Sequence, residues 1–465
     1  MKILDLFRHF TKSDWHWMSK FVASPAHNQH LVVGRLFAFF RKKLPEKEEA
    51  LFSENLFRLL FEKDGYDASK LHHVSNYLLR VAQDYLAWDE WMQDGPAQSF
   101  YLLRACRRRG LEKPFRSHLG RLQRLTESQT LRNPEHYRFC YTLALEEYQH
   151  SMQTGRSDVG QAQALSDQHD LAFVAEKLKN ACIVRSRQRV RQRDVDAGLL
   201  GAVLDLVRRR PALLDIPAIA LYYFGYLALD EPETEAHFFA LKSRLPQAAR
   251  HFPAHELRDI YLLAINFCIH RINLRQENYL REVFDLYRSG LEQEVFLENG
   301  QVSRFTYTNI ALAALRLHEF EWTYQFLHDF RDKLPDAQRA GAYAFNLARF
   351  YCERGDYDRA MPLLQAMDFD DVLHNLTAKA MLLRMYYETG AHNALESLLL
   401  SLEAYLRRKS QLGVQQQTAY QNTVRLLRRL IALPPADAEA RRLLRQEVRD
   451  TPLVAEKDWL LRMLA

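Results

Sequence analysis

Glycine and proline are scarce, 16 and 15 in 465 residues, and β-branched runs are nearly absent. So few glycines leave little material for a phosphate-cradling loop, and no G-x-G-x-x-G, Walker-type loop, H-E-x-x-H or nucleophile elbow is present. Nucleotide chemistry is therefore not expected, and the sequence assigns no catalytic residue, cofactor or metal. The five cysteines, Cys106, Cys140, Cys182, Cys268 and Cys352, lie far apart with no C-x-x-C pair, which points to a reduced compartment. The opening "MKILDLFRHFTKSDW" carries charges every few residues and no apolar block of signal-peptide length. The longest uncharged run, "IPAIALYYFGYLAL" at 216–229, falls short of the roughly 18–20 residues that cross a bilayer. A cytoplasmic protein without membrane insertion is expected. The net charge of +6 is a mild excess on a chain this long, so composition alone does not point to nucleic acid.

What the chain has in quantity is Leu, Ala, Arg, Glu and Gln, the residues that lose least side-chain freedom in helices. An all-α protein is predicted, with 48% hydrophobic residues ample for burial. The length is about three times a typical domain, which favours an elongated array over one compact core. Residues 1–130 read as an N-terminal helical domain of short helices. Thr11 or Ser13 is expected to cap the second, Ser53 to open a short one, and Asp67 or Ser69 to open a longer one with Leu71, Val74, Leu78, Val81 and Tyr85 on one side. Irregular helical hairpins are expected over 131–300, closer repeats over 301–410 and capping helices over 411–465. Helices joined by only a few residues must lie antiparallel, so the prediction is a stack of hairpins.

The repeat is explicit near the end. Placing "NIALAALRLHEFEWTYQFL" (309–327) on "NLARFYCERGDYDRAMPLL" (346–364) sets Asn on Asn, Ala311 on Ala348, His318 on Gly355, Phe320 on Tyr357, Thr323 on Ala360 and Leu327 on Leu364 without a gap. A third copy carries Tyr386 and Gly390 about 35 residues beyond Tyr351 and Gly355. Small residues at Ala348 and Ala360 let paired helices approach, and Gly355 permits the reversal. Leu347, Ala348, Tyr351, Ala360 and Leu364 with Pro335 resemble the tetratricopeptide repeat over about 305–405. The third copy departs at Leu383 and Leu395, where small residues belong. Through phrases such as "AEKLKNAC" and "LAINFCIHRIN" the whole chain is similar to uncharacterised bacterial all-helical proteins, a likeness that implies no activity. The repeat resemblance implies an α-solenoid whose first helices line a concave groove.

On that resemblance the groove residues are Leu312, Arg316, Phe345, Arg349, Glu353, Arg384 and Glu388. Arg349 and Arg384 are equivalent, and the groove is expected to receive a peptide carboxylate or acidic side chains. The expected function is a non-catalytic scaffold for a protein or peptide partner, with oligomeric state left open. The alternative is an RNA- or DNA-associated protein using "RSRQRVRQR", where Arg185, Arg189 and Arg193 recur at four-residue steps on one helical face. The Leu-interleaved arginines of "RLLRRL" at 425–430 read instead as a solvated or salt-bridged face. Glu147 and His150 have the E-x-x-H spacing of helical di-iron sites, but no second copy exists and ordinary polar positions are the expectation. His27 and His30, three apart, are read the same way.

Overall fold

A computed structural model describes residues 2–43, 54–61, 67–156, 158–191, 195–366, 372–408, 413–434 and 437–465. Among the described residues the regular structure is all helical apart from one hairpin of two-residue strands, Leu297–Glu298 with Gln301–Val302. That hairpin turns at Asn299 and Gly300, both at positive φ (52° and 78°), the pairing a tight primed turn demands. No described helix is long and apolar enough to cross a membrane. None of the five cysteines forms a disulfide.

Two compact units divide the chain. The first comprises Met1–Gln129 and Arg138–Asp170, the second Thr130–Tyr137 and Leu171–Ala465. In the first, helices Lys2–Arg8, Lys12–Ala23, Leu31–Lys43, Glu54–Phe61 and Ala68–Gln93 bury Phe7, Met18, Phe21, Leu36, Phe40, Leu78 and Tyr85 in one core. Thr11 caps its helix reciprocally with Asp14, and Asp67 accepts from the backbone of Ser69 and Lys70, so both starts follow from the residues that satisfy orphan N–H groups. Ser53 lies outside the described residues.

In the second unit the short stretch Thr130–Tyr137 is pinned by a buried carboxylate. Glu256, only 3% exposed, accepts from Asn133 Nδ2 at 2.7 Å and Tyr222 Oη at 2.5 Å, and pairs with Lys179 Nζ at 2.9 Å. Burial pushes the Glu256 carboxyl up, but these three donors outweigh it and hold the group below the ordinary value.

Three helical hairpins follow, Arg304–Arg316 with Phe320–Asp329, Asp336–Glu353 with Tyr357–Gln365, and Val372–Glu388 with His392–Arg408. Each first helix ends in the same way. Left-handed residues stand at His318 (φ 59°), Gly355 (φ 75°) and Gly390 (φ 70°). The N–H one residue later reaches back to Ala314 O at 3.0 Å, Tyr351 O at 2.9 Å and Tyr386 O at 2.9 Å, which is the Schellman closure. The buried positions repeat in the same register: Ala311, Ala348 and Leu383 on the first helices, then Thr323, Ala360 and Leu395, then Leu327, Leu364 and Leu399 on the second. Leu383 and Leu395 are thus buried in full where the first two hairpins use smaller side chains. Each first helix packs on its own partner and on the next first helix: Arg304–Arg316 on Asp336–Glu353, and that helix on Val372–Glu388. Helices Val414–Ala432, Ala438–Asp450 and Lys457–Met463 close the chain.

Candidate functional site

Because Gly355 and Gly390 hold equivalent turns, Arg349 and Arg384 fall at equivalent positions on neighbouring first helices. Their surroundings differ. Arg384 is only 6% exposed and is held by Glu353 at 3.0 Å and Glu388 at 3.3 Å. Arg349 is half-buried with its guanidinium 4.8 Å above the Phe345 ring. Phe345, expected to line a groove, is a core residue at 1% exposure and serves as the platform beneath Arg349. On the first hairpin Leu312 and Arg316 are both exposed. Glu353 and Glu388 sit near the surface and direct carboxylate oxygens at Arg384.

Glu388 gathers more than one donor. Tyr357 Oη donates to its second oxygen, and Trp459 Nε1 donates to the first at 2.7 Å. Trp459 comes from the last helix of the chain, lies 2% exposed, and meets Tyr387 edge-on at 5.7 Å. The residues before it are tied to helix Val414–Ala432: Thr423 Oγ1 donates to Ala455 O at 2.7 Å and Asn422 Nδ2 to Leu453 O at 2.8 Å. Between these anchors stands Glu456, in the left-handed region at φ 55°.

Partial burial shifts several of these groups. Burial pushes the Glu456 carboxyl above the ordinary range, although Arg384 and Arg349 pull the other way. Burial likewise draws the Arg349 guanidinium down, with Glu456 its foremost opposing charge. For Arg384 burial also works against the charged form, but Cys352, Glu353 and Glu456 outweigh it and keep the group firmly protonated. Burial and Glu388 push the Tyr357 hydroxyl up to about 12. Arg384, Glu353, Glu388, the Tyr357 phenol and the Trp459 indole thus meet at one end of two first helices. Arginines in such a set can bind carboxylates, and its glutamates can accept from N–H groups.

The other expected sites are dispersed. Arg185 pairs with Asp230 at 3.1 Å, the Arg189 side chain is not among the described parts, and Arg193 lies outside the described residues. The arginines of 425–430 are engaged by glutamates, Arg428 by Glu403 at 2.8 Å and Glu396 at 3.1 Å, and Arg425 and Arg429 by Glu447. Glu147 accepts from Gln123 at 3.2 Å, whereas His150 stacks on Phe115 and meets Glu112 at 2.9 Å. His27 stacks on Phe21 at 3.8 Å, and His30 meets the edge of Tyr77 at 4.5 Å. Among the described residues no group of three or more His, Cys, Asp or Glu converges as a metal site.

Two members of the cluster, Glu456 and Trp459, were not singled out from the sequence. Their only local signal is "AEKDW", an acid and an aromatic three apart near the end of an amphipathic region. The contact of Trp459 with Glu388, 71 positions earlier, has no local signature. Compared with known proteins, the chain matches no family model, no curated protein and no solved structure.

Proposed function

We propose that the chain is a non-catalytic, cytoplasmic helical-repeat scaffold that binds a protein or peptide partner along the first helices of its tetratricopeptide-like hairpins. The observation that carries this reading is positional. Three consecutive hairpins share one turn geometry and one register of buried residues, which sets Leu312, Arg349 and Arg384 in line on first helices that pack against one another. A row of neighbouring helices offers a long recognition surface without a deep water-excluding pocket, a geometry suited to recognition over bond-breaking.

Affinity capture from the native host with the wild-type chain and with a Leu312→Glu/Arg316→Glu variant tests it. Both residues are exposed, so the variant is expected to keep its thermal midpoint while losing the captured partner. Recovery of the same partner by both chains would overturn the reading. Heparin retention that disappears in Arg185→Glu would shift it to nucleic acid.

A further inference from the structure

Helices Lys12–Ala23 and Leu31–Lys43 of the first unit pack side by side, yet a cavity of about 480 Å³ opens between them. That volume is in the range of clefts that hold small molecules. Phe37 and Val22 line it at 3% and 4% exposure, and Phe37 is held by the rings of Phe7 at 5.9 Å and Trp15 at 5.5 Å. The apolar wall is therefore preformed. Gly34, also on the lining, leaves the space open. Neither packing nor backbone requires glycine there: a Cβ would meet only Val22 Cγ1, at 3.9 Å, and φ is not positive. A helical glycine costs stability relative to alanine, so what this one provides is room.

About two turns further along the same helix stand Arg41 and Lys42, both exposed and both on the lining. The side-chain hydrogen bond of Arg41, to Ser19 Oγ, is long at 3.5 Å. Among the described residues no carboxylate pairs with either cation, and none lines the cavity. Over residues 12–43 Lys and Arg outnumber Asp and Glu six to one, and Asp14, the single acid, is already engaged by Thr11. The field over the cavity is positive. An apolar wall beside two unpaired cations complements a molecule with an apolar body and one anionic head. The lining runs from Gly34 to Lys42, about 12 Å of helix, long enough for a small molecule and far short of what a stable protein interface covers. We propose that this cavity binds a small organic acid, with its apolar body against Phe37 and Val22 and its carboxylate at Arg41 and Lys42. The site belongs to the first unit and is independent of the scaffold reading.

The test uses the full chain and two fluorescent probes that share one apolar body, anionic anilinonaphthalene sulfonate and uncharged phenylnaphthylamine. The sulfonate is expected to bind saturably, about tenfold more tightly than the uncharged probe, and to be displaced by excess decanoate. Arg41→Glu/Lys42→Glu should weaken the sulfonate about tenfold and leave the uncharged probe unaffected, a split that a general loss of structure would not give. Gly34→Leu fills the cavity and should weaken both probes. Ala38 lines the same cavity from an exposed position, so Ala38→Leu supplies that readout should Gly34→Leu fail to fold. Absence of saturable sulfonate binding, or equal affinity of the two probes for the wild-type chain, overturns the proposal. So does sulfonate binding that decanoate does not displace, or that a folded cavity-filling variant leaves intact. Should the sulfonate fail to bind while Arg41→Glu/Lys42→Glu abolishes capture of a protein from the host, the surface docks a protein and the small-acid assignment is overturned.

Discussion

His318 occupies a turn position that its two equivalents fill with glycine, at φ 59° against 75° and 70°. A side chain there pays for the close approach of its Cβ to the backbone, which glycine avoids. His318→Gly is expected to stabilise the protein by about 0.5–1 kcal/mol, read as a raised urea midpoint. A lowered midpoint would mean the imidazole contact with Phe320 matters more than the backbone. Gly290 shows the opposite constraint: a Cβ built there would fall 2.2 Å from the Phe296 ring. Gly290→Ala must displace a buried aromatic and should cost about 1–3 kcal/mol in the same measurement.

At the scale of elements, the stretch Thr130–Tyr137 depends on Glu256, which joins it to the helices carrying Lys179 and Tyr222. Removing one partner of such a network leaves the others buried and unpaired. Glu256→Ala should destabilise by about 3–5 kcal/mol in chemical unfolding, and Glu256→Gln by less because it still accepts from Tyr222. Much at this scale was legible in the sequence. Helix starts at Thr11 and Asp67 followed from capping chemistry, and the aligned turns at His318, Gly355 and Gly390 share one backbone geometry. Identity of letters was a weaker guide than register. The aligned asparagines differ, Asn309 being exposed while Asn346 is fully buried and donates to Thr308 Oγ1 at 3.0 Å. Phe345 shows the same limit, since helical periodicity marks a stripe and only the neighbouring hairpin decides which edge of the stripe is closed. The Asn299–Gly300 turn had a clear local signal that a search for helices passes over. Glu456 and Trp459 had none, because their meaning lies in contacts made across the fold.

At the scale of the whole molecule, two partly buried groups of the second unit respond to acid with opposite sign. Burial and Arg132 depress His136 from 6.5 to about 4, so the folded form binds fewer protons than the unfolded one between those values. Its stabilising contribution is complete above pH 6.5 and is lost as pH falls toward 4. Glu456, raised by burial against the pull of Arg384 and Arg349, favours the folded form at low pH and loses that contribution as pH rises through its folded value. Thermal midpoints recorded from pH 7 to 4 should therefore fall less steeply in His136→Gln than in wild type. Equal slopes would show that His136 titrates alike in both states.

The packing of the middle first helix, Asp336–Glu353, on the one before and the one after makes the row extensible. Copying one 35- or 37-residue period into the chain between Gln365 and Val372 would add a rung without asking its neighbours to change shape. Reach could thus grow by duplication of a single stretch of gene, but every added rung would carry the last helix, tied through Trp459 to Glu388, one step farther from Arg349.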